Sequence, residues 1–430
     1  MILSKIPEGW NIVELDNFVE IETGKRVKGG GLSEGKIPSI GGEHIKNNGQ
    51  IIWDNKLKFI PEEFYDHILK QGKIKLGDIL IVKDGATTGK VAFVEYLPYE
   101  KAAINEHVFI VRTNKNIIHN KFLYYFLSSK FGQQQIKLKF HGMIGGIKKE
   151  DIKSIKILLP PLPEQKKIAE ILSTVDKAIE KVDEIIAKTK RLKKGLMQRL
   201  LTKGIGHEEF KYSEELGCEI PKEWGVVKFE NIANFKNGIN FRKEQKGSKG
   251  ILTIDVLNMY GQEIELDYNN LYRVNINLND DSEYILKKGD ILFVRSSLKR
   301  EGSAWATLFT GYKEPVTFCG FLIRARLKDT RIFPPFITYY LRTEKVRNKL
   351  ISISGQVTIS NISQESLRSL KIPLPPLQEQ QKIAEILSTV DKKLELEKKR
   401  KEKFERVKRG LMNDLLTGKK RVKNLNLEDD

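Results

Sequence analysis

Ten residues, IAEILSTVDK, occur twice without change, at 168–177 and 383–392, an offset of 215 positions in a chain of 430. The match extends outward. ILLPPLPEQKKIAEILSTVDK (157–177) answers IPLPPLQEQQKIAEILSTVDK (372–392), and GLM (195, 410) and LLT (200, 415) follow at the same offset. Fainter echoes precede it: IPEGW (6–10) with IPKEW (220–224), KLGDILIVKDG (75–85) with KKGDILFVRSS (287–297), and KFLYYFLSSK (121–130) with PFITYYLRTE (335–344). Their offsets drift between 212 and 214, as loops of unequal length require. Such a chain is two copies of one unit, each a variable globular part followed by a constant helix. It is also too long for a single core.

The constant part reads as a long helix. Prolines at 160, 161 and 163 suit a helix entry, Glu164 suits its positive end, and no proline interrupts the next forty residues. Steps of three and four from Ile168 pass through Leu172, Val175, Ile179, Val182, Ile186, Thr189, Lys193, Leu196 and Leu200, a heptad seam with one polar lapse. The second copy gives Ile383, Leu387, Val390, Leu394, Glu397, Lys401, Phe404, Lys408, Leu411 and Leu415, polar in its middle. At 1.5 Å per residue each helix is about 60 Å long and one-sided, so it needs a partner. The natural partner is the other copy. An antiparallel pair is expected, because it puts the end of the first helix beside the start of the second and keeps the connection through the second globular part local. Lys167, Glu170, Thr174 and Lys177 should face outward and match Lys382, Glu385, Thr389 and Lys392, a repeated face suited to two copies of one partner.

Charge narrows the partner. The formal net charge is +19, spread as +6 over 1–162, +5 over 203–377, and +4 and +3 over the two helical segments. A basic excess carried by every part of a chain points to a polyanion. No apolar run approaches membrane-spanning length, and the N-terminus shows no secretory pattern. Two cysteines, Cys218 and Cys319, fit a reducing compartment, so a cytoplasmic location is expected.

Glycine-rich basic turns after strand-like runs are the candidate contacts. In the first copy these supply Lys25, Arg26 and Lys28; Lys83, Thr87, Thr88 and Lys90 after DILIV; and His141 and Lys148. In the second they supply Arg295, Ser296, Ser297, Lys299 and Arg300 after DILFV, and Gln356 and Thr358 in SGQVTIS. Such side chains reach phosphates and base edges, and glycine lets a backbone approach closely. Catalytic chemistry is sparse. The LPPL and FPPF stretches lack the polar residue of an amino-methyltransferase motif, there is no P-loop, and GGGLSEG (29–35) lacks its strand–turn–helix context. EQK at 164–166 imitates the end of a metal-nuclease motif, but it stands at a helix start. Six histidines and two cysteines show no ligand spacing, so no catalytic or metal-ligating residue is assigned. A stand-alone enzyme acting on nucleic acid and a pure coiled-coil scaffold are the alternatives.

LPPLPEQKKIAEILSTVD and LPPLQEQQKIAEILSTVD resemble the conserved regions of specificity (S) subunits of type I restriction–modification systems, over the whole chain. The resemblance implies target-recognition domains at 1–158 and 205–373, conserved helical spacers at 159–204 and 374–423, and a tail at 424–430. The expected fold class is α+β: two mixed α/β domains separated by a long antiparallel two-helix coiled coil, with an internal pseudo-two-fold repeat. Each domain would read one half of a split, asymmetric site in double-stranded DNA. Two modification (adenine methyltransferase) subunits would dock on the helices, and restriction (translocase/endonuclease) subunits would join them. S-adenosylmethionine, ATP and magnesium would be used on those other subunits, with no cofactor on this chain.

Overall fold

The computed structural model describes residues 6–54, 56–142, 145–261, 263–276, 278, 282–297, 302–353 and 360–422. The chain divides into two compact units, Met1–Val182 with Arg400–Asp430, and Asp183–Lys399. The first holds strands β1 (Asn11–Glu14), β2 (Val19–Thr23), β3 (Ile37–Ile40), β4 (Lys58–Ile60), β5 (Ile79–Val82), β6 (Val91–Phe93), β7 (Ala103–Ile104), β8 (Val108–Thr113) and β9 (Lys156–Leu159). Its helices are α1 (Asn120–Ser128), α2 (Lys130–Leu138), α3 (Lys149–Lys153) and the first half of α4 (Leu162–Lys203). An antiparallel sheet runs in the order β2-β8-β5-β6, and a second sheet in the order β4-β3-β7 has β3 and β7 parallel. β1 pairs with β9 immediately before α4.

The sequence explains this layering. ILIV is a continuous apolar run, which a strand tolerates only when both faces are covered. All four residues are buried, and the pleat divides them. Ile79 and Ile81 enter the core with Phe122, Tyr125 and Phe126 of α1, whereas Leu80 and Val82 enter another core with Ile40, Ile45 and Ile104. α1 is buried from Phe122 through Leu127, apolar almost all round because it lies inside. Each such side chain stabilises the unit by about 1.5–3 kcal/mol relative to exposure.

The second unit repeats the plan. Its strands are β10 (Phe210–Ser213), β11 (Cys218–Pro221), β12 (Gly225–Lys228), β13 (Ala233–Asn237), β14 (Lys246–Gly247), β15 (Ile251–Ile254), β16 (Tyr272–Val274), β17 (Ile291–Val294), β18 (Ser296–Ser297), β19 (Ala306–Leu308), β20 (Val316–Phe318), β21 (Leu322–Leu327), β22 (Ser360–Asn361) and β23 (Lys371–Leu374). The helices are α5 (Phe229–Ile232), α6 (Pro334–Leu341), α7 (Glu344–Ile353), α8 (Gln364–Arg368) and α9 (Leu377–Leu416), α9 passing into the first unit. The sheet β13-β21-β17-β19 copies β2-β8-β5-β6, β15 and β20 run parallel like β3 and β7, and β12–β23 copies β1–β9. Ile291 and Phe293 face α6, and Leu292 and Val294 face the other core, as their counterparts do.

Each unit also settles the helix polarity within itself. In the first, Ile168, Ala169 and Leu172 at the start of α4 share a core with Leu415 and Leu416 at the end of α9. In the second, Leu200 and Leu201 at the end of α4 share a core with Ile383, Ala384 and Leu387 at the start of α9. The start of one helix lies against the end of the other both times, which is the antiparallel pair. Gly204 (φ +66°) and Gly418 (φ +69°) follow the two helix ends, in the left-handed conformation that lets a helix stop.

Candidate nucleic-acid interface

A frame around the helix starts orients each domain. Gln165 donates to the carbonyls of Ile117 and Pro160, both at 2.9 Å, and accepts from the His119 N–H at 2.8 Å. Gln380 does the same with Arg331 (3.0 Å), Pro375 (2.8 Å) and the Phe333 N–H (2.8 Å). Glu164 accepts from Trp10 Nε1 (3.1 Å) and from both Nε and Nη2 of Arg421 (2.8 Å). Burial pushes the Glu164 carboxyl up, but the hydrogen bonds of Arg421 and Trp10 outweigh it and hold it below the ordinary value. Glu379 accepts from Trp224 Nε1 (3.0 Å), the Ile205 N–H (2.9 Å) and His207 (2.8 Å). The EQ pair is thus an engaged clamp, buried except for the half-buried Glu379, and the tryptophans of IPEGW and IPKEW are what it grips. That role escaped the sequence reading, although the repetition of E, Q and W in both copies carried the signal.

The polar seam positions have a purpose as well. Lys408 pairs with Asp176, to which the Tyr125 hydroxyl donates at 2.8 Å. Lys193 pairs with Asp391, to which the Tyr339 hydroxyl donates at 2.8 Å. Each ammonium also lies over its tyrosine ring, at 5.7 and 5.8 Å from the centroid. Burial and the neighbouring aspartate push both phenols up. The supposed lapse at Lys193 is therefore one corner of a triad made by a domain helix, the start of one long helix and the end of the other. Of the apolar seam, Ile168, Leu172, Val182, Ile186, Ile383, Leu387 and Leu394 are buried, while Val175, Ile179 and Val390 are half-buried. Glu170, Thr174 and Lys177 are exposed like Glu385, Thr389 and Lys392; Lys382 is exposed too, but Lys167 is half-buried.

The four-stranded sheets carry the candidate loops along one edge formed by the ends of their strands. Thr23 at the end of β2 faces Phe109, and Val82 at the end of β5 faces Val108, so the segments after β2 and β5 and before β8 emerge together. The Lys83 N–H donates to the His107 carbonyl (2.9 Å), and the Ile147 N–H donates to the Lys83 carbonyl (2.8 Å), which brings the 141–147 segment to the same edge. A Cβ on Gly24 would lie 2.2 Å from the carbonyls of Ile104 and Asn105, so only glycine fits that crossing. The second unit has the same ties. The Arg295 N–H donates to the Phe321 carbonyl (2.8 Å), the Ile362 N–H donates to the Arg295 carbonyl (2.9 Å), and Gly238 meets the Cys319 carbonyl as Gly24 meets that of Asn105.

Within this edge the sequence candidates differ in kind. Lys25, Arg26 and Lys28 are exposed, and Lys25 and Arg26 line a groove of about 240 Å³ with Ser39, Lys58, Asn105 and His107. Arg26 reaches Glu106 at 3.6 Å. Lys83 is half-buried beside Asp84 (3.8 Å), and Asp84 also holds His107. Thr88 donates to the Gly85 carbonyl (2.7 Å), Thr87 reaches that of Gly42 (3.5 Å), and Lys90 reaches that of Ile45 (3.3 Å), so these three brace the loop from inside. His141 is exposed and pairs with Asp151 at 2.9 Å; Lys148 is exposed. Arg295, Ser296 and Ser297 are half-buried, with Ser296 bonded to Asn361. Lys299, Arg300, Gln356 and Thr358 lie outside the described residues. The aspartate of the repeated GDIL phrase serves the fold: Asp78 takes both Nε and Nη2 of Arg112 at 2.7 Å, and Asp290 takes those of Arg326 at 2.8 and 2.7 Å. Sequence reasoning missed His107 and Phe321, which stand before a strand, where no glycine-rich turn marks them. Among the described residues no group of three or more His, Cys, Asp or Glu side chains is placed to hold a metal ion, and no helix is long and apolar enough to cross a membrane.

Comparison with known proteins gives one consistent picture. The family model of the type I restriction modification DNA specificity domain matches residues 7–191 and again 221–406. The chain is 30% identical over 426 residues to the type I restriction enzyme MjaVIII specificity subunit of Methanocaldococcus jannaschii, covering 98% of this chain and 95% of that one. It is 26% identical over 423 residues to the EcoKI specificity subunit of Escherichia coli K12, covering 91% and 83%. Among solved structures, the S subunit of a type I restriction-modification system from M. genitalium superposes with a TM-score of 0.59 at 18% identity, covering 96% of this chain and 98% of that one. A chain from work on complex assembly and conformational transition of the type I R-M system gives 0.54 at 17%, with the same coverage. With two family domains in tandem, each built on the same sheet and the same clamp, the chain belongs to the type I restriction–modification DNA specificity family.

Proposed function

We propose that each unit reads one half of a split duplex DNA site with the loops at the open edge of its four-stranded sheet, and that α4 and α9 set the gap between the half-sites. One observation carries this reading: the two edges share their backbone ties, at Lys83 and Arg295, yet present different side chains. A scaffold that repeats while its readers diverge suits two unlike half-sites. The basic excess in both globular segments supplies the sequence-independent attraction to phosphate.

The exposed face repeated in Glu170, Thr174, Lys177 and in Glu385, Thr389, Lys392 suits two copies of a modification subunit. In this reading the chain itself catalyses nothing. Adenine methylation and ATP-driven translocation and cleavage belong to the modification and restriction subunits, which would hold S-adenosylmethionine, ATP and magnesium.

Lengthening both long helices by about one turn tests the arrangement. Mapping of methylated sites in cells carrying the insertion should return the same two half-sites with a longer gap. An unchanged gap, or altered half-sites, would remove the spacer role.

A further inference from the structure

Phe321 is 61% exposed at the sheet edge of the second unit, an odd place for an aromatic ring on a chain whose other phenylalanines, Phe140 aside, are buried or half-buried. Its exposure does not come from a slack loop. The Arg295 N–H holds the Phe321 carbonyl (2.8 Å), the Gly320 N–H donates to Ile239 (2.8 Å), and the Cys319 N–H donates to Ile254 (3.0 Å). The ring is carried on a turn pinned to three neighbouring segments. Beside it stand Arg295, whose guanidinium reaches the Gly320 carbonyl at 3.4 Å, and the bonded pair Ser296–Asn361. A rigid apolar group inside a polar, cationic rim is how a reader meets an apolar feature of a polyanion.

The other half supplies the contrast. The carbonyl that holds Lys83 belongs to His107, so His107 occupies the place of Phe321. It is polar, with Nδ1 against Asp84 and Nε2 at 3.5 Å from Glu106. The same backbone position therefore offers hydrogen-bonding chemistry in one unit and none in the other.

We propose that Phe321 is a specificity-determining residue of the second domain, reading the C5 methyl group of a thymine in the major groove of its half-site. This rests on the DNA-reading function proposed above. The thymine methyl is the apolar group that base pairs display in that groove, and a phenyl ring has no donor or acceptor to read anything else there.

The test uses the full-length chain and a randomised duplex library, followed by duplexes in which each thymine of the selected site is replaced by deoxyuridine, which removes only the methyl. One thymine of the second half-site should respond, with deoxyuridine weakening the wild-type protein about threefold to tenfold. Phe321→Ala should bind the thymine and deoxyuridine duplexes alike and accept other bases at that position, while its first half-site stays the same. Phe321→Leu, which keeps an apolar group, should retain part of the preference. His107→Ala should alter the first half-site alone. The assignment is overturned if Phe321→Ala keeps the wild-type response to deoxyuridine, or if it loses affinity equally for every sequence. A wild-type protein that selects no sequence at all would instead sink the DNA-reading function itself, so the two failures are distinguishable.

Discussion

Where the domains meet the long helices, the two halves repeat the same glutamate–tryptophan, glutamine–backbone and lysine–aspartate–tyrosine contacts; at the sheet edges they agree only in backbone. Glu164 and Glu379 grip Trp10 and Trp224, Gln165 and Gln380 brace the same three backbone positions, and Asp176 and Asp391 join a tyrosine to a lysine. At the edges, Arg295 takes the place of Lys83 and Phe321 that of His107. The difference separates two kinds of constraint. A buried polar group left without its partner costs more than almost any surface change, so the frame tolerates one solution. A loop tip that faces solvent or a ligand pays no such penalty and is free to differ between copies.

Removing an aspartate from a triad gives the largest expected effect. Asp391→Ala leaves the half-buried Lys193 ammonium and the buried Tyr339 hydroxyl without their acceptor, and should cost about 3–5 kcal/mol in urea unfolding. Asp391 is 5% exposed, whereas Asp176 is half-buried, so Asp176→Ala should cost less. Equal costs would show that burial is not what distinguishes the two triads.

The clamp comes next. Glu164→Gln weakens the bonds from Arg421 and Trp10 and should cost about 1.5–3 kcal/mol. It also gives a pH signature. The folded carboxyl titrates below its unfolded value of 4.5, so its contribution is complete above that value and is lost as pH falls through the lower, folded one. Thermal unfolding of the wild type below pH 4.5 should therefore approach that of Glu164→Gln, and parallel curves at every pH would contradict the clamp.

The smallest effects belong to the edges. Lys83→Ala and Arg295→Ala should each weaken DNA binding modestly and lower the slope of log affinity against log salt by about one, with folding stability little changed. Affinity unchanged at several salt concentrations would remove that residue from the interface.

The repeat made the helices and the two-unit plan legible because a period of 215 and a heptad seam are one-dimensional signals. The runs ILIV and ILFV were legible as strands, and the structure added that both of their faces are covered. The triads were not: Lys193 and Lys408 stand in an apolar seam and look like flaws until Asp391 and Asp176, about two hundred residues away, are brought against them. Thr87, Thr88 and Lys90 read as ligand-facing, and the fold also gives each of them a carbonyl of its own domain, since a hydroxyl or ammonium finds a carbonyl as readily as a phosphate.

By itself the sequence determined the duplication, the long helices and their antiparallel sense, because these follow from periodicity, proline placement and connectivity, and its two LPPL-to-STVD phrases carried the resemblance to the family. Only the tertiary structure decided which polar residues are frame and which are surface. That choice depends on whether a group's partner and its solvent are within about 3 Å, and distance in space is what a linear order of residues does not contain.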